Sequence, residues 1–171
     1  MKTKVEILSQ LFIFAFAIGA ISLAGVVKAE TTSTGQDSSL SEKDKIFMKK
    51  AAKGGTMEVA MGNIAEKNAQ SDDVKSFGKR MITDHSKAND ALKSIASQKG
   101  VQLAAKERKL KWTSDKDYMD MMVKDHEKDL AEFKEEADGG SDADVKKFAD
   151  DTAKVIQEHL DRAKDIQGKL K

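Results

Sequence analysis

The sequence predicts an all-α fold: a four-helix bundle made of two antiparallel helical hairpins with a long connector between them. Three observations lead there. The chain answers itself at an offset of 71 positions, Phe47-Met48 matching Tyr118-Met119 and Val74-Lys75-Ser76-Phe77 matching Val145-Lys146-Lys147-Phe148. Within each copy, apolar residues recur at steps of three and four, which keeps them on one side of a helix. There is no proline in 171 residues, so nothing removes an i to i−4 hydrogen bond or clashes with the preceding turn.

Composition narrows the function classes. Charged residues are 35% of the chain, with 30 Lys+Arg against 29 Asp+Glu. Mixed signs of this kind mark solvated helix faces and lack the clustered basic footprint that nucleic acid requires. Cysteine is absent, which excludes disulfides and a thiol nucleophile. Aromatics are 5%, so the core must be built from Ala, Met, Val, Ile and a few Phe.

Taken in order, residues 1–29 read as a secretory signal peptide. Lys2 and Lys4 supply a positive start, 11–27 is a nearly continuous apolar run, and Val27-Lys28-Ala29 has the form of a cleavage site. The competing reading is an uncleaved anchor, because 7–27 is nearly long enough to span a bilayer. Three lysines and one glutamate lie in 1–29, so cleavage takes the balance from 30 against 29 to 27 against 28. Residues 30–41 are polar and rich in Thr, Ser and Gly, and read as a disordered leader. Residues 42–171 form the bundle domain.

Helix 1 is expected from about 42 to 69, capped by Ser41, with the buried stripe Phe47, Ala51, Gly54, Glu58, Met61, Ala65. Gly54-Gly55 would weaken a helix by ~1 kcal/mol each and is read as a close approach or a kink. Helix 2 is expected from about 72 to 99, capped by Ser71 or Asp72 and stopped by Gly100. Its stripe is Val74, Gly78, Met81, His85, Ala88, Leu92, Ile95, with Phe77 beside it. Helix 3 is expected from about 115 to 137, capped by Ser114, with Met119, Met122, His126, Leu130 and Phe133 inward. Helix 4 is expected from about 142 to 170, capped by Ser141, with Val145, Phe148, Thr152, Ile156, His159, Ala163 and Ile166 inward.

Short turns join helix 1 to 2 and helix 3 to 4, so each pair is an antiparallel hairpin. The middle connection, about 14 residues from Gly100, can cross ~45 Å at ~3.3 Å per residue. A 27-residue helix is ~40 Å long. The connector can therefore run the length of the bundle and set helices 2 and 3 parallel, the ferritin-like arrangement. Simple up-down-up-down packing is the alternative.

Several stretches resemble one family of exported bacterial proteins, the domain of unknown function 4142. They are 47–58 (Phe-Met-Lys-Lys-Ala-Ala-Lys-Gly-Gly-Thr-Met-Glu), 81–89 (Met-Ile-Thr-Asp-His-Ser-Lys-Ala-Asn), Tyr118-Met119 through Val123-Lys124-Asp125-His126-Glu127-Lys128, and Glu158-His159-Leu160. The resemblance covers about 43–168 and implies a ferritin-like fold and an extracytoplasmic location. It carries no established reaction. The connector after Gly100-Val101 is shorter than the family's usual segment.

His85, His126 and His159 are the only histidines, and all three fall on apolar stripes. Each follows an acid, Asp84, Asp125 and Glu158. Such an acid stands at the stripe's edge, ~100° round the helix, placed to orient a histidine on an adjacent helix as carboxylates do behind metal ligands. Counted from the turns, Glu58, His85 and His126 are level. His159 is expected ~9 Å from His126 along the axis at ~1.5 Å per residue. Glu58, His85 and His126 would then share one ion, with His159 a turn or more away. Imidazole and carboxylate suit zinc, copper or iron. The residues favour a plainer reading over the metal, a set of polar pins that hold helix register by hydrogen bonds to buried acids.

Other chemistry is weaker. A di-iron centre wants Glu-x-x-His on two helices, but Ile82, Val123 and Ile156 stand three before the histidines. His126 with Asp129 is the nearest imitation, and Asp129 matches Glu58 under the repeat offset. Met119, Met122 and His126 share a helix face, which suits Cu(I), although methionine at this spacing is usual core filling. The basic run 106–111 beside Trp112 reads as a solvated linker, with weak contact to an anionic membrane as its alternative. No phosphate loop or nucleophile motif occurs.

The sequence therefore favours an exported, non-enzymatic protein of the periplasm or cell envelope, with outer-membrane association as a variant. Its role would be stress-related or partner-binding, the partner being an unidentified envelope protein. The rival function is a metal-binding bundle using Glu58, His85 and His126.

Overall fold

A computed structural model describes residues 40–104 and 110–170. The signal-like segment 1–29, most of the leader and most of the basic run lie outside the described residues. Among the described residues there are four helices: α1 Glu42–Asn68, α2 Asp72–Gln98, α3 Asp115–Gly139 and α4 Ala143–Lys169. Among the described residues there is no strand, and no helix is long and apolar enough to cross a membrane.

The helix ends follow local chemistry. Ser41 Oγ accepts from Asp44 N–H at 3.1 Å, and Asp44 accepts from Ser41 N–H at 2.8 Å, a reciprocal cap. Ser114 accepts from Asp117 N–H at 3.0 Å. α2 stops where Gly100 takes φ +67°, with Val101 N–H bonded to Ala96 C=O at 2.8 Å. That left-handed closure suits glycine. The cap of α4 is Asp142, whose carboxylate accepts from Asp144 and Val145 N–H, and not Ser141 as expected. Ser141 N–H is instead drawn across the bundle end to Asp44, at 2.9 Å.

These end contacts settle the topology. Gln70 and Ser71, in the first turn, donate to Asp115 at the start of α3. Ser141, in the second turn, meets Asp44 at the start of α1, and Lys99 at the end of α2 pairs with Asp142 at 2.6 Å. The two turns thus lie at opposite ends, and α2 and α3 run parallel. The connector spans the length between them. Val101 and Leu103 pack on one half of the core, Leu110 and Trp112 on the other. Up-down-up-down packing is excluded.

The buried faces are wider than single stripes. Met48, Ala52 and Gly62 are buried on α1, whereas Ala51 and Gly54 are half-buried. On α4, Ala149, Ala153 and Leu160 are buried and Thr152 is half-buried. The reason is that α1–α2 and α3–α4 pack far more extensively than the hairpins do on each other, which turns each face toward its hairpin partner. Gly55 gives the close approach expected there, since a Cβ would overlap the Asn89 side chain of α2, and a second approach lies further along α1. A Cβ on Gly62 would stand 2.7 Å from Gly78 O, and one on Gly78 2.9 Å from Gly62 O. The backbones of α1 and α2 touch there.

The core has two apolar halves. One holds Phe47, Leu92, Phe133 and Phe148, with Phe47 edge-on to Phe133 at 4.9 Å. The other holds Met61, Phe77, Met81, Tyr118, Met119 and Met122. Between them each helix contributes one buried polar side chain: Glu58, His85, His126 and His159.

Candidate metal centre

The three imidazoles form a nearly equilateral triangle. Ring centroids are 5.8 Å apart for His85–His126, 5.2 Å for His85–His159 and 5.6 Å for His126–His159. One nitrogen from each ring lies within 4.8 Å of one from each of the others. This corrects the expected depth of His159. α3 runs on to Gly139 and α4 opens at Ala143, so the two residues differ in depth by only about three positions, roughly 5 Å at ~1.5 Å rise. Side chains lean toward their own helix N-terminus. In an antiparallel pair His126 leans away from the second turn and His159 back toward it, which closes the remaining gap.

Hydrogen bonding sets two of the tautomers. His126 Nδ1 lies 2.8 Å from Met122 C=O. A carbonyl only accepts, so Nδ1 carries the proton and Nε2 keeps its lone pair. His159 Nε2 lies 2.8 Å from Asp84 Oδ2. Burial raises the Asp84 pKa, but hydrogen bonds from His159 and Arg80 outweigh it and hold the carboxyl below its ordinary value. Asp84 therefore accepts, and His159 Nδ1 keeps its lone pair. His126 Nε2, His159 Nδ1 and His85 Nε2 are all buried without a protein partner.

Burial also lowers the affinity of the rings for protons. His85 is pushed down to about 3 by desolvation and then by the other two rings. His126 is pushed down to about 4 by desolvation and then by His159. His159 is lowered by desolvation against the pull of Asp84. The trio is neutral at pH 7, the form in which imidazole binds metal. Bonds of ~2.0–2.1 Å in a tetrahedral shell place ligand nitrogens ~3.3 Å apart, so rings within 4.8 Å need pivot by only about an ångström.

The other expected site residues divide. Glu58 is 1% exposed and lies in the same layer, but it does not join the trio within that distance. Neither of its oxygens has a partner. Burial first, then Asp125 and Asp129, push its pKa up to about 8, so it is a neutral acid at pH 7. Of the four accompanying acids only Asp84 reaches a histidine. Glu158 pairs with Arg80, Asp129 lies 3.9 Å from Lys128, and Asp125 bonds no ring. Arg80 was not among the expected residues. It holds Asp84 from one helical turn away, at 3.2 Å, a spacing at which side chains meet. The methionines flank the layer as core, Met81 and Met122 fully buried.

Comparisons agree with this architecture. The family model described as "Domain of unknown function (DUF4142)" matches residues 29–166. No curated protein matches the chain. The fold is similar to the crystal structure of a DUF305 fragment from Deinococcus radiodurans. The TM-score is 0.66 at 9% identity over 77% of this chain and 99% of that one. It is also similar to a two-domain protein from Anabaena variabilis containing DJ-1/ThiJ/PfpI-like and ferritin-like domains. There the TM-score is 0.61 at 12% identity, over 76% of this chain and 38% of that one. Two antiparallel hairpins, a full-length crossover and a family match over most of the sequence give one assignment: the chain belongs to the domain of unknown function 4142 family and is a ferritin-like four-helix bundle.

Proposed function

We propose that this protein binds one transition-metal ion of the zinc or copper class through His85, His126 and His159. The observation that carries the reading is the convergence of three buried imidazoles between two apolar half-cores, each with a ring nitrogen that has no partner among the described residues. Pins for helix register would need each ring to bond across the bundle. Only His159 does so, to Asp84. The Asp84–His159 pair has the carboxylate–histidine form that orients a metal ligand and raises its basicity. The signal-like residues 1–29 support a periplasmic or envelope location for the same function. The role is that of a binding module and not a catalyst.

The test is metal titration and melting of the wild type beside a His85→Ala/His126→Ala variant. Stoichiometric zinc or copper binding that raises the wild-type Tm and is lost in the variant is expected, since a ligand selective for the folded state stabilises it. No binding by the wild type would leave the histidines as core packing.

A further inference from the structure

A cleft of about 460 Å³ enters the bundle between α1 and α3 and ends at His85. Lys50, Lys53, Gly54 and Gly55 lie on its α1 wall, and Asp125, Lys128, Asp129 and Glu132 on its α3 wall. A second cleft, of about 630 Å³ between α2 and α4, reaches the same histidine. The two differ in chemistry. In the α2/α4 cleft the acids are engaged: Asp84 by His159 and Arg80, Glu158 by Arg80, Asp144 by Lys99 and Asp151 by Lys147. In the α1/α3 cleft Glu132 is engaged by Lys50 and Lys128, at 3.6 and 3.4 Å, but Asp125 has no ion pair or hydrogen bond among the described residues, and Asp129 meets only Lys128, at 3.9 Å.

His85 connects these two free carboxylates to a ligand. It is 8% exposed, its Nε2 is buried without a partner, and it lines the inner end of the cleft. A cation drawn in by single carboxylates would pass to imidazoles, which hold zinc and copper more firmly than isolated carboxylates do. Glycine keeps the way open. A Cβ on Gly54 would stand 3.6 Å from Asp129 Oδ2, so a longer side chain there would grow across the passage.

Resting on the metal reading above, we infer that the α1/α3 cleft is the entry route for a divalent transition-metal cation to the histidine trio, with Asp125 and Asp129 as transit carboxylates. Stopped-flow mixing of the full chain with Zn²⁺, read by competition with a chromophoric chelator, tests it. Asp125→Asn/Asp129→Asn should slow association and dissociation together severalfold, with Kd unchanged, because a transit group lowers the barrier in both directions. Gly54→Leu should slow both rates as well. Ala91→Leu, in the α2/α4 cleft, should leave both alone. Unchanged rates in the carboxylate variant, or slowing by Ala91→Leu alone, would overturn the route. So would a weaker Kd at unchanged association rate, which would make the carboxylates ligands. If the wild type binds no Zn²⁺, the metal reading itself falls, an outcome distinct from tight binding with unaltered rates.

Discussion

His159 on α4 donates through Nε2 to Asp84 on α2 at 2.8 Å, joining residues 75 positions apart. Arg80 donates to the same oxygen, Asp84 Oδ2, at 3.2 Å. One bond thus ties the two hairpins together and leaves His159 Nδ1 with its lone pair free, in a ring packed against the other two.

Asp84→Ala should therefore act twice. It leaves a buried ring N–H without a partner, at about 1–3 kcal/mol of stability by urea denaturation. It should also weaken zinc binding by about 10–100-fold, the usual effect of removing the acid behind a ligand histidine. Glu158→Gln, which touches Arg80 but no ring, should change neither by more than a small fraction of that.

Glu58 predicts a pH dependence. Its folded pKa, about 8, lies above the ordinary 4.5. Below pH 4.5 both folded and unfolded states hold the proton. Between 4.5 and 8 the unfolded chain releases it and the folded one keeps it, so this residue lowers stability as pH rises, levelling off above 8. Glu58→Gln removes the effect. The stability difference between variant and wild type should widen from pH 5 to pH 8 by on the order of a few kcal/mol, measured by denaturation at each pH.

At the far end of the bundle, Asp44 and Glu136 form a second buried carboxyl pair, 0% and 2% exposed. Burial opposes ionisation of Asp44, but N–H groups of Ser141 and Ser41 and the Glu136 carboxyl hold it down to about 2. Burial, then Asp44, push Glu136 up to about 7. The stability from Asp44 is present above pH 3.8 and is lost as pH falls through 2. That from Glu136 is lost as pH rises from 4.5 through 7. Glu136→Gln should keep the bundle end closed at pH 8, seen as slower hydrogen exchange at Ser41 and Ser141. Asp44→Ala should open it at every pH.

Two glycines should respond with opposite signs. Gly62→Ala places a methyl 2.7 Å from a backbone oxygen of α2, and the helices must part, at about 1–3 kcal/mol. Gly54→Ala meets only ordinary contact at 3.6 Å and gains helix propensity, so it should stabilise by ~0.5–1 kcal/mol. Thermal melts of the two variants decide this.

Much of the fold is legible in the sequence. Helix ends at Ser41, Ser114 and Gly100 are local chemistry, and caps can be read residue by residue. The repeat and the 3.6-residue period named the hairpins, and connector length pointed to the crossover. The histidines were legible as inward residues for the same reason. Asp142 capping α4 in place of Ser141 was not, because the choice depends on Asp44, 97 positions away, taking the Ser141 N–H.

The sequence by itself determined four amphipathic helices, their pairing, and one polar residue facing inward from each. These follow from short-range periodicity and turn chemistry. Only the tertiary structure decided that His159 closes a triangle with His85 and His126 while Glu58 stays outside it. Axial depth at a bundle centre depends on where each helix begins and ends and on the lean of side chains in antiparallel neighbours. A few residues of accumulated offset then separate a metal-sized cluster from scattered polar groups.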